Sequence, residues 1–357
     1  MRQRRTAGDE HVLEHGSRVR AQTHAHFDEH AACSRWMEWM TLGEFERAWK
    51  ESDRIARHCT PGGDRHLPLH LRRVWDGTPL EGRRVLVRCY HGLGDTIQFI
   101  RYIPLLKTIA ATVSLQCQSR LAPLLRHAAG VEEMTSIDAP GPEPRPFEVD
   151  IEVMELAYAF RTTLASIPSD VPYIRLPDDL AKGQQVDRKA GSIKAGLVWS
   201  SGDWNPRRSV PLSKLEPLFE LSGIEWFSLQ RGPASDDVIR SANLPITQLE
   251  REKSTIVDTA AWLLDLDLTI TVDTMTAHLA GALARPVWTL LPSPCDWRWM
   301  TAREDSPWYP TMRLFRQTRS GEWDNVIERV AATLRDLEFE TQSREERSVT
   351  KRSRLAA

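Results

Sequence analysis

The feature that most constrains this chain is a rhythm: short β-rich runs alternate with longer amphipathic ones, twice over, with a polar stretch between the two series. In the first series RRVLVRCY (83–90) reads as a strand and TIQFIRYIPLLKTIA (96–110) as a helix. TVSLQCQ (112–118) follows as a strand and SRLAPLLRHA (119–128) as a helix. In the second, strands are predicted at 192–200, 224–230, 267–272, 286–291 and 311–315, with helices at 211–221, 254–265 and 274–284 between them. Strands that alternate with helices are joined by crossovers, and crossovers build parallel sheets. The stretch DDLAKGQQVDRKAGS (178–192) has the composition of a linker, so the pattern predicts two Rossmann-like units, at 83–180 and 193–338. The fold class is α/β, with the GT-B architecture and a site in the cleft between the units as the leading expectation.

The chain ends differ from this pattern. Residues 1–25 are polar with scattered His and Arg, and 341–357 are polar and basic. Both are expected to be disordered tails. Residues 31–58 carry apolar side chains at helical spacing on two segments divided at Leu42-Gly43, which predicts a helix hairpin, followed by a connector to about residue 75. A last helix is expected near 321–339, on the outside of the sheets.

Charge narrows the function classes. With 47 Lys and Arg against 49 Asp and Glu, the chain lacks the basic excess of a nucleic-acid binder. No apolar run approaches the length of a membrane span, and no apolar segment follows the basic residues at the start, so a cytoplasmic protein is expected. The five cysteines are scattered without a Cys-x-x-Cys pair, which supports neither a disulfide framework nor a zinc site. Asp265-Leu266-Asp267 has the form of a metal-holding D-x-D, but it precedes a strand far from any phosphate-type loop. No metal or other cofactor is expected.

Three loops could carry chemistry. HGLGD (91–95) joins the first strand to a helix, and Gly92 and Gly94 allow close backbone approach there while a helix start favours an anion. The dinucleotide fingerprint is incomplete because Ile97 stands where its third glycine belongs, which disfavours a nicotinamide enzyme. Asp95 is either the cap of that helix or a general base at the cleft mouth. In TVDTMTAHLAGALARP (271–286) a strand ends at Asp273 and a helix begins near Thr274 with His278 in its first turn. Hydroxyls, free N–H groups and an imidazole suit a diphosphate; a capping Asp273 and a core His278 are the plainer alternative. In LVWSSGDWNPRRSVPL (197–212) the loop carries Ser200, Arg207 and Arg208, as phosphate donors or as a solvated basic loop.

The runs YHGLGDTIQFIRYIPLL, TITVDTMTAHLAGALARPVWTLLP and DWRWMTAREDSPWYPTMRLFRQ together resemble the bacterial tetratricopeptide-repeat proteins whose C-terminal part is similar to family 9 glycosyltransferases, the heptosyltransferase group, over roughly residues 30–338. That resemblance implies a GT-B enzyme that transfers a sugar from a nucleotide-diphosphate donor, with inversion and without a metal. The acceptor would bind the N-terminal unit and the donor the C-terminal one. It implies Asp95 as the base, and donor contacts from Asp273, Thr274 and His278. Ser200 and Arg207 or Arg208 would contact phosphate and sugar, although heptosyltransferases often have a Lys in that loop. Gln230 would lie near the ribose and Thr259 near the nucleotide base, positions that a strand end and a helix cap explain as well. The acceptor would be a glycan, lipid-linked or protein hydroxyl. The hairpin resembles one tetratricopeptide repeat, too few for an independent recognition surface. The rival class is a non-catalytic nucleotide-binding or scaffold protein of the same fold.

Tryptophan completes the reading. Of 13 Trp, nine lie at Trp199 or later. Trp199 and Trp204 flank the arginine loop, and Trp297, Trp299 and Trp308 follow a strand end, so they are expected to line the cleft and stack on a sugar or base.

Overall fold

The computed structural model describes residues 27–58, 73–182, 185–189, 191–202, 205–241 and 244–355, with side chains to residue 343. The expected tail at 1–25, most of the connector (59–72) and Trp204 lie outside the described residues.

The chain opens with the hairpin α1 (Glu29–Leu42) and α2 (Phe45–His58). Asp28 caps α1 by accepting from the Ala31 N–H at 2.9 Å. Gly43 ends it at φ 79°, its N–H returning to the Met40 carbonyl, a left-handed stop that glycine adopts without strain.

The first sheet follows: β1 (Arg84–Arg88), α3 (Leu93–Phe99), α4 (Ile103–Ile109), β2 (Thr112–Cys117), α5 (Ala122–Leu125), β3 (Glu133–Ser136), β4 (Val149–Glu152) and α6 (Glu155–Ala159). All pairs are parallel, in the order β3-β2-β1-β4. The helix expected over 96–110 is broken into α3 and α4 by a tight turn at 100–102. Pro104, with no N–H to give, sits in the first turn of α4, where none is needed.

After α7 (Asp178–Lys182) come β5 (Ile193–Val198), α8 (Glu216–Phe219), β6 (Ile224–Ser228), α9 (Asp236–Arg240), β7 (Ile246–Gln248), α10 (Ile256–Asp265), β8 (Leu268–Val272), α11 (Met275–Ala282), β9 (Val287–Leu291), β10 (Met312–Arg316) and α12 (Asp324–Leu355). The second sheet is parallel throughout, in the order β10-β9-β8-β5-β6-β7. β5 is buried along its whole length, as expected of a central parallel strand covered on both faces. The stretch 178–192 is not a free linker. Asp265 accepts from the Val186 N–H at 2.8 Å and Lys194 at 2.6 Å, and Asp267 pairs with Arg188.

Residues 341–355 correct the expectation of a tail, because they continue α12. No Gly or Pro interrupts 324–355, and the charged residues that suggested disorder (Glu, Lys, Arg) are good helix formers. Val326, Ile327, Val330 and Leu334 of α12 pack on one face of the second sheet.

The other core joins everything else. One continuous apolar cluster runs from the hairpin (Phe45, Trp49) through β1 (Val87), α3 (Phe99) and Tyr102 to Trp297, Trp308 and Tyr309, in the connection between β9 and β10. The hairpin touches both parts. Trp49 donates its indole N–H to the Thr162 carbonyl at 2.6 Å, and Asp53 accepts from Tyr158 and Arg161. Trp36 meets Trp297 edge-on at 5.7 Å, and Phe45 lies 6.1 Å from Trp308.

Candidate functional site

Each sheet has one place where consecutive connections leave in opposite directions, and loops at the carboxyl ends of such strands form a crevice. In the first sheet it lies between β1 and β4. The chain leaves β1 through His91 and Asp95 and leaves β4 at Glu152. In the second it lies between β5 and β8, where Ser200, Arg207 and Arg208 follow one strand and Asp273 and Thr274 the other.

The two crevices face each other across a packed seam. At Gly94 of α3 an added Cβ would stand 2.8 Å from Cδ2 of His278, so the helices α3 and α11 cross where α3 lacks a side chain. Arg298, in the turn Trp297–Trp299, reaches over to Asp95 at 2.6 Å and also holds Asp296 at 2.9 Å. The guanidinium is buried, 8% exposed, with two carboxylates to balance it. Asp95 also accepts from the Gly92 N–H at 3.0 Å, closing the first turn of α3. Arg208 lies 3.6 Å from Asp273, whose carboxyl is pushed up by burial and by neighbouring Asp296, against the pull of the two arginines. His278 is buried, stacks on Trp299 and shares a 3.0 Å hydrogen bond between Nδ1 and the Tyr309 hydroxyl. Burial first, then Arg298, Arg101 and Arg208, hold its ring neutral well below the ordinary histidine range. Arg101 ties the seam from the other side, donating to the Trp308 carbonyl at 2.5 Å and to Tyr173 at 3.0 Å.

No protein-family model matches the chain. It is 27% identical over 288 residues to the protein FlbA of Caulobacter vibrioides, a match covering 73% of this chain and 48% of that one. The chain thus spans about half the length of the curated relative it matches. Among solved structures, a family 9 glycosyltransferase from Veillonella parvula superposes with a TM-score of 0.52 at 13% identity, over 73% of this chain and 98% of that one. The ADP-heptose lipopolysaccharide heptosyltransferase II of Escherichia coli gives 0.52 at 13%, over 72% and 99%. The chain has the fold of these glycosyltransferases.

Within that fold the expected site residues separate into two groups. Asp95, Arg208, Asp273, Thr274 and His278 come together along the seam. Thr274 caps α11, its side chain accepting from the Thr276 N–H, so Asp273 is free of the capping role. Arg207 is exposed on a short turn beside them. Ser200 sits at the end of β5 with its hydroxyl 3.4 Å from that of Ser209.

The residues of the second group are engaged within the protein, and the expectation for the tryptophans needs correction. Gly92 and Gly94 answer to the protein itself: the first N–H serves Asp95 and the second residue makes room for His278. Gln230 spends its whole amide on the chain, accepting from the Trp199 and Ser200 N–H groups and donating to the Ser200 and Arg231 carbonyls. Thr259 faces inward and donates to Glu250. The Gln230 amide is thereby fully occupied by the chain, and Thr259, buried, gives its one hydroxyl proton to Glu250. Trp199 and Trp299 are fully buried and Trp297 nearly so. Trp199 packs among Leu197, Val210 and Leu212. Trp297 and Trp299 fill the seam instead of lining an open cleft, because the apolar surfaces of two sheets and a hairpin meet there and large rings close the gap.

The sequence reading missed Arg298, Asp296, and the pair formed by His91 and Glu152, whose Nδ1 and Oε1 lie 2.9 Å apart. The signal for Arg298 was its place between two tryptophans in DWRWM; that for His91 was its place opening HGLGD. Among the described residues no group of His, Cys, Asp and Glu is placed to hold a metal ion, and no helix is long and apolar enough to cross a membrane.

Proposed function

We propose that the protein is a heptosyltransferase-like glycosyltransferase, transferring a sugar with inversion from a nucleotide-diphosphate-sugar donor to an acceptor hydroxyl. The observation that carries this reading is the facing of two crevices, one supplying a carboxylate and the other two arginines and a helix start. The acceptor binds on the first-sheet side and gives its proton to Asp95 as its oxygen attacks the anomeric carbon. The bond from that carbon to the diphosphate breaks, and the departing charge is met by Arg298, Arg208, the Thr274 hydroxyl and the N–H groups opening α11. These donors supply the positive charge that a metal ion would otherwise provide. Neutral His278 supports Trp299 and Tyr309 beneath them. Arg298 and Asp95 neutralise each other, so the donor frees the base by drawing Arg298 to its phosphates.

The setting is cytoplasmic, the acceptor a glycan, lipid-linked or protein hydroxyl, and no nucleic acid is bound. The hairpin is a single tetratricopeptide-like unit that buttresses the first sheet. The closed, ring-filled seam favours a second reading, a non-catalytic protein that keeps a nucleotide site. Asp95→Asn separates the two: a thermal shift with nucleoside diphosphates retained in the variant, together with donor turnover present in the wild type and lost in the variant, supports the enzyme. Unchanged turnover removes Asp95 as the base, and no turnover by the wild type favours the second reading.

A further inference from the structure

Arg298 reaches Asp95 at the end of a long, flexible side chain, so the meeting depends on how its backbone is held. It sits in the turn Trp297–Trp299, where the carbonyls around it are answered one by one. Trp308 donates its indole N–H to the Arg298 carbonyl at 3.0 Å, Arg316 donates to the Trp299 carbonyl, and Cys295 gives its S–H to the Met300 carbonyl at 3.3 Å. Met300 leaves the turn at φ 56° and ψ −170°. That conformation is nearly confined to glycine, and another residue keeps it only where its surroundings over-determine it.

Those surroundings include the hairpin, which comes from the opposite end of the chain. Trp36 of α1 meets Trp297, the residue before Arg298, edge-on at 5.7 Å. The bend between α1 and α2 meets the far side of the turn: a Cβ added at Gly43 would stand 3.3 Å from Met300 Sδ. Phe45 of α2 lies 6.1 Å from Trp308, the donor to the Arg298 carbonyl. Ring pairs at such separations attract in preferred orientations. The turn has other supports, with Phe99 of α3 at 6.4 Å from Trp297 and His278 of α11 stacked on Trp299. A hairpin that only buttressed the first sheet would need no more than its bonds from Trp49 to Thr162 and from Tyr158 and Arg161 to Asp53. Its contacts with Trp297, Met300 and Trp308 fall on the segment that carries or bonds the arginine.

Resting on the glycosyltransferase reading, we infer that the hairpin is a positioning element for Arg298, acting through Trp36 on Trp297 and through its bend on Met300. It fixes the turn so that one guanidinium faces both Asp95 and the departing diphosphate.

Two measurements on the full chain test this. The first needs no ligand: nitrogen NMR of the Arg298 guanidinium, assigned by its loss in Arg298→Lys. Its two terminal nitrogens bond different carboxylates, Nη2 to Asp95 and Nη1 to Asp296, so the wild type is expected to give two separate signals. They are expected to merge in Trp36→Ala and in Met300→Ala, as the planar fork turns freely. They are expected to stay apart in Trp36→Phe, which keeps a ring on Trp297, and in Asp53→Ala, which loosens the hairpin on the first sheet and leaves the turn alone. Separate signals in either Trp36→Ala or Met300→Ala overturn the proposal, and so does merging in the wild type or in Asp53→Ala. Met300→Ala leaves the hairpin intact and carries the test if Trp36→Ala does not fold.

The second is calorimetric affinity for ADP and UDP. It is expected to fall about tenfold in Trp36→Ala and to stay within about twofold of the wild type in Trp36→Phe, since a loosened arginine must be ordered again on binding. Undiminished affinity in Trp36→Ala overturns the proposal and leaves the glycosyltransferase reading intact. Merged signals in a protein whose wild type binds neither nucleotide uphold the positioning and reject that reading.

Discussion

Arg298 and Asp95, 203 positions apart in sequence, meet at 2.6 Å across the seam between the two sheets. The guanidinium also serves Asp296 and lies near Asp273, so it is the positive centre of an acidic, largely buried cluster. Its loss leaves those carboxylates without their main counter-charge. Arg298→Ala is expected to destabilise the fold by about 3 kcal/mol in urea unfolding, the scale for breaking a buried pair from one side. Arg298→Lys, which keeps the charge but holds fewer oxygens at once, is expected to fall between. A loss below about 1 kcal/mol in Arg298→Ala would mean that the pair behaves as a surface contact.

Gly94→Ala tests the crossing of α3 and α11. Alanine gains up to about 1 kcal/mol of helix propensity over glycine, but here its Cβ meets the His278 ring, which Trp299 and Tyr309 hold in place. Overpacking of this kind costs about 1–3 kcal/mol. The variant is therefore expected to unfold at lower urea than the wild type, and a gain in stability would show that the seam opens freely.

The pH dependence of stability carries the sign of His278. Its folded pKa is depressed, so below about 6.5 the unfolded chain binds a proton that the fold refuses. The contribution is present above 6.5 and is lost as pH falls. His278→Gln does not titrate and retains an amide toward Tyr309. The stability difference between wild type and variant is expected to shift by about 2 kcal/mol against the wild type from pH 7.5 to 5. An unchanged difference would place a protonated ring in the fold.

Arg208→Ala tests the donor side. A charge-assisted hydrogen bond to phosphate is worth about 1.5–3 kcal/mol, so affinity for a nucleoside diphosphate is expected to fall about 10- to 100-fold in calorimetry. Arg207, exposed and pointing to no partner that the fold fixes, is expected to contribute less.

The strands were legible because a buried parallel strand is a short, β-rich and mostly apolar run, as IKAGLV and LTITV are. The two loops that carry Asp95 and Asp273 were legible because each follows such a run and opens a helix. What escaped was everything fixed by the meeting of distant segments. The arginine in DWRWM acquires its role only from Asp95, and Glu152 only from His91; the flanking tryptophans mark the arginine but not its partner, and nothing local marks Glu152. The tryptophans misled for the same reason: a strand end sets where a ring starts, but whether it faces a ligand or another ring depends on what the rest of the chain brings against it. The charged stretch 341–355 misled by composition, since its residues suit a helix as well as a solvated coil.

The hairpin changes what counts as the smallest self-sufficient piece of this chain. With Trp36 against Trp297, Phe45 against Trp308 and Trp49 bonded to Thr162, the two sheets and the hairpin are three walls of one room. A fragment cut to begin at the first strand would keep every residue of both crevices and still stand open on its third side, with its largest rings facing water.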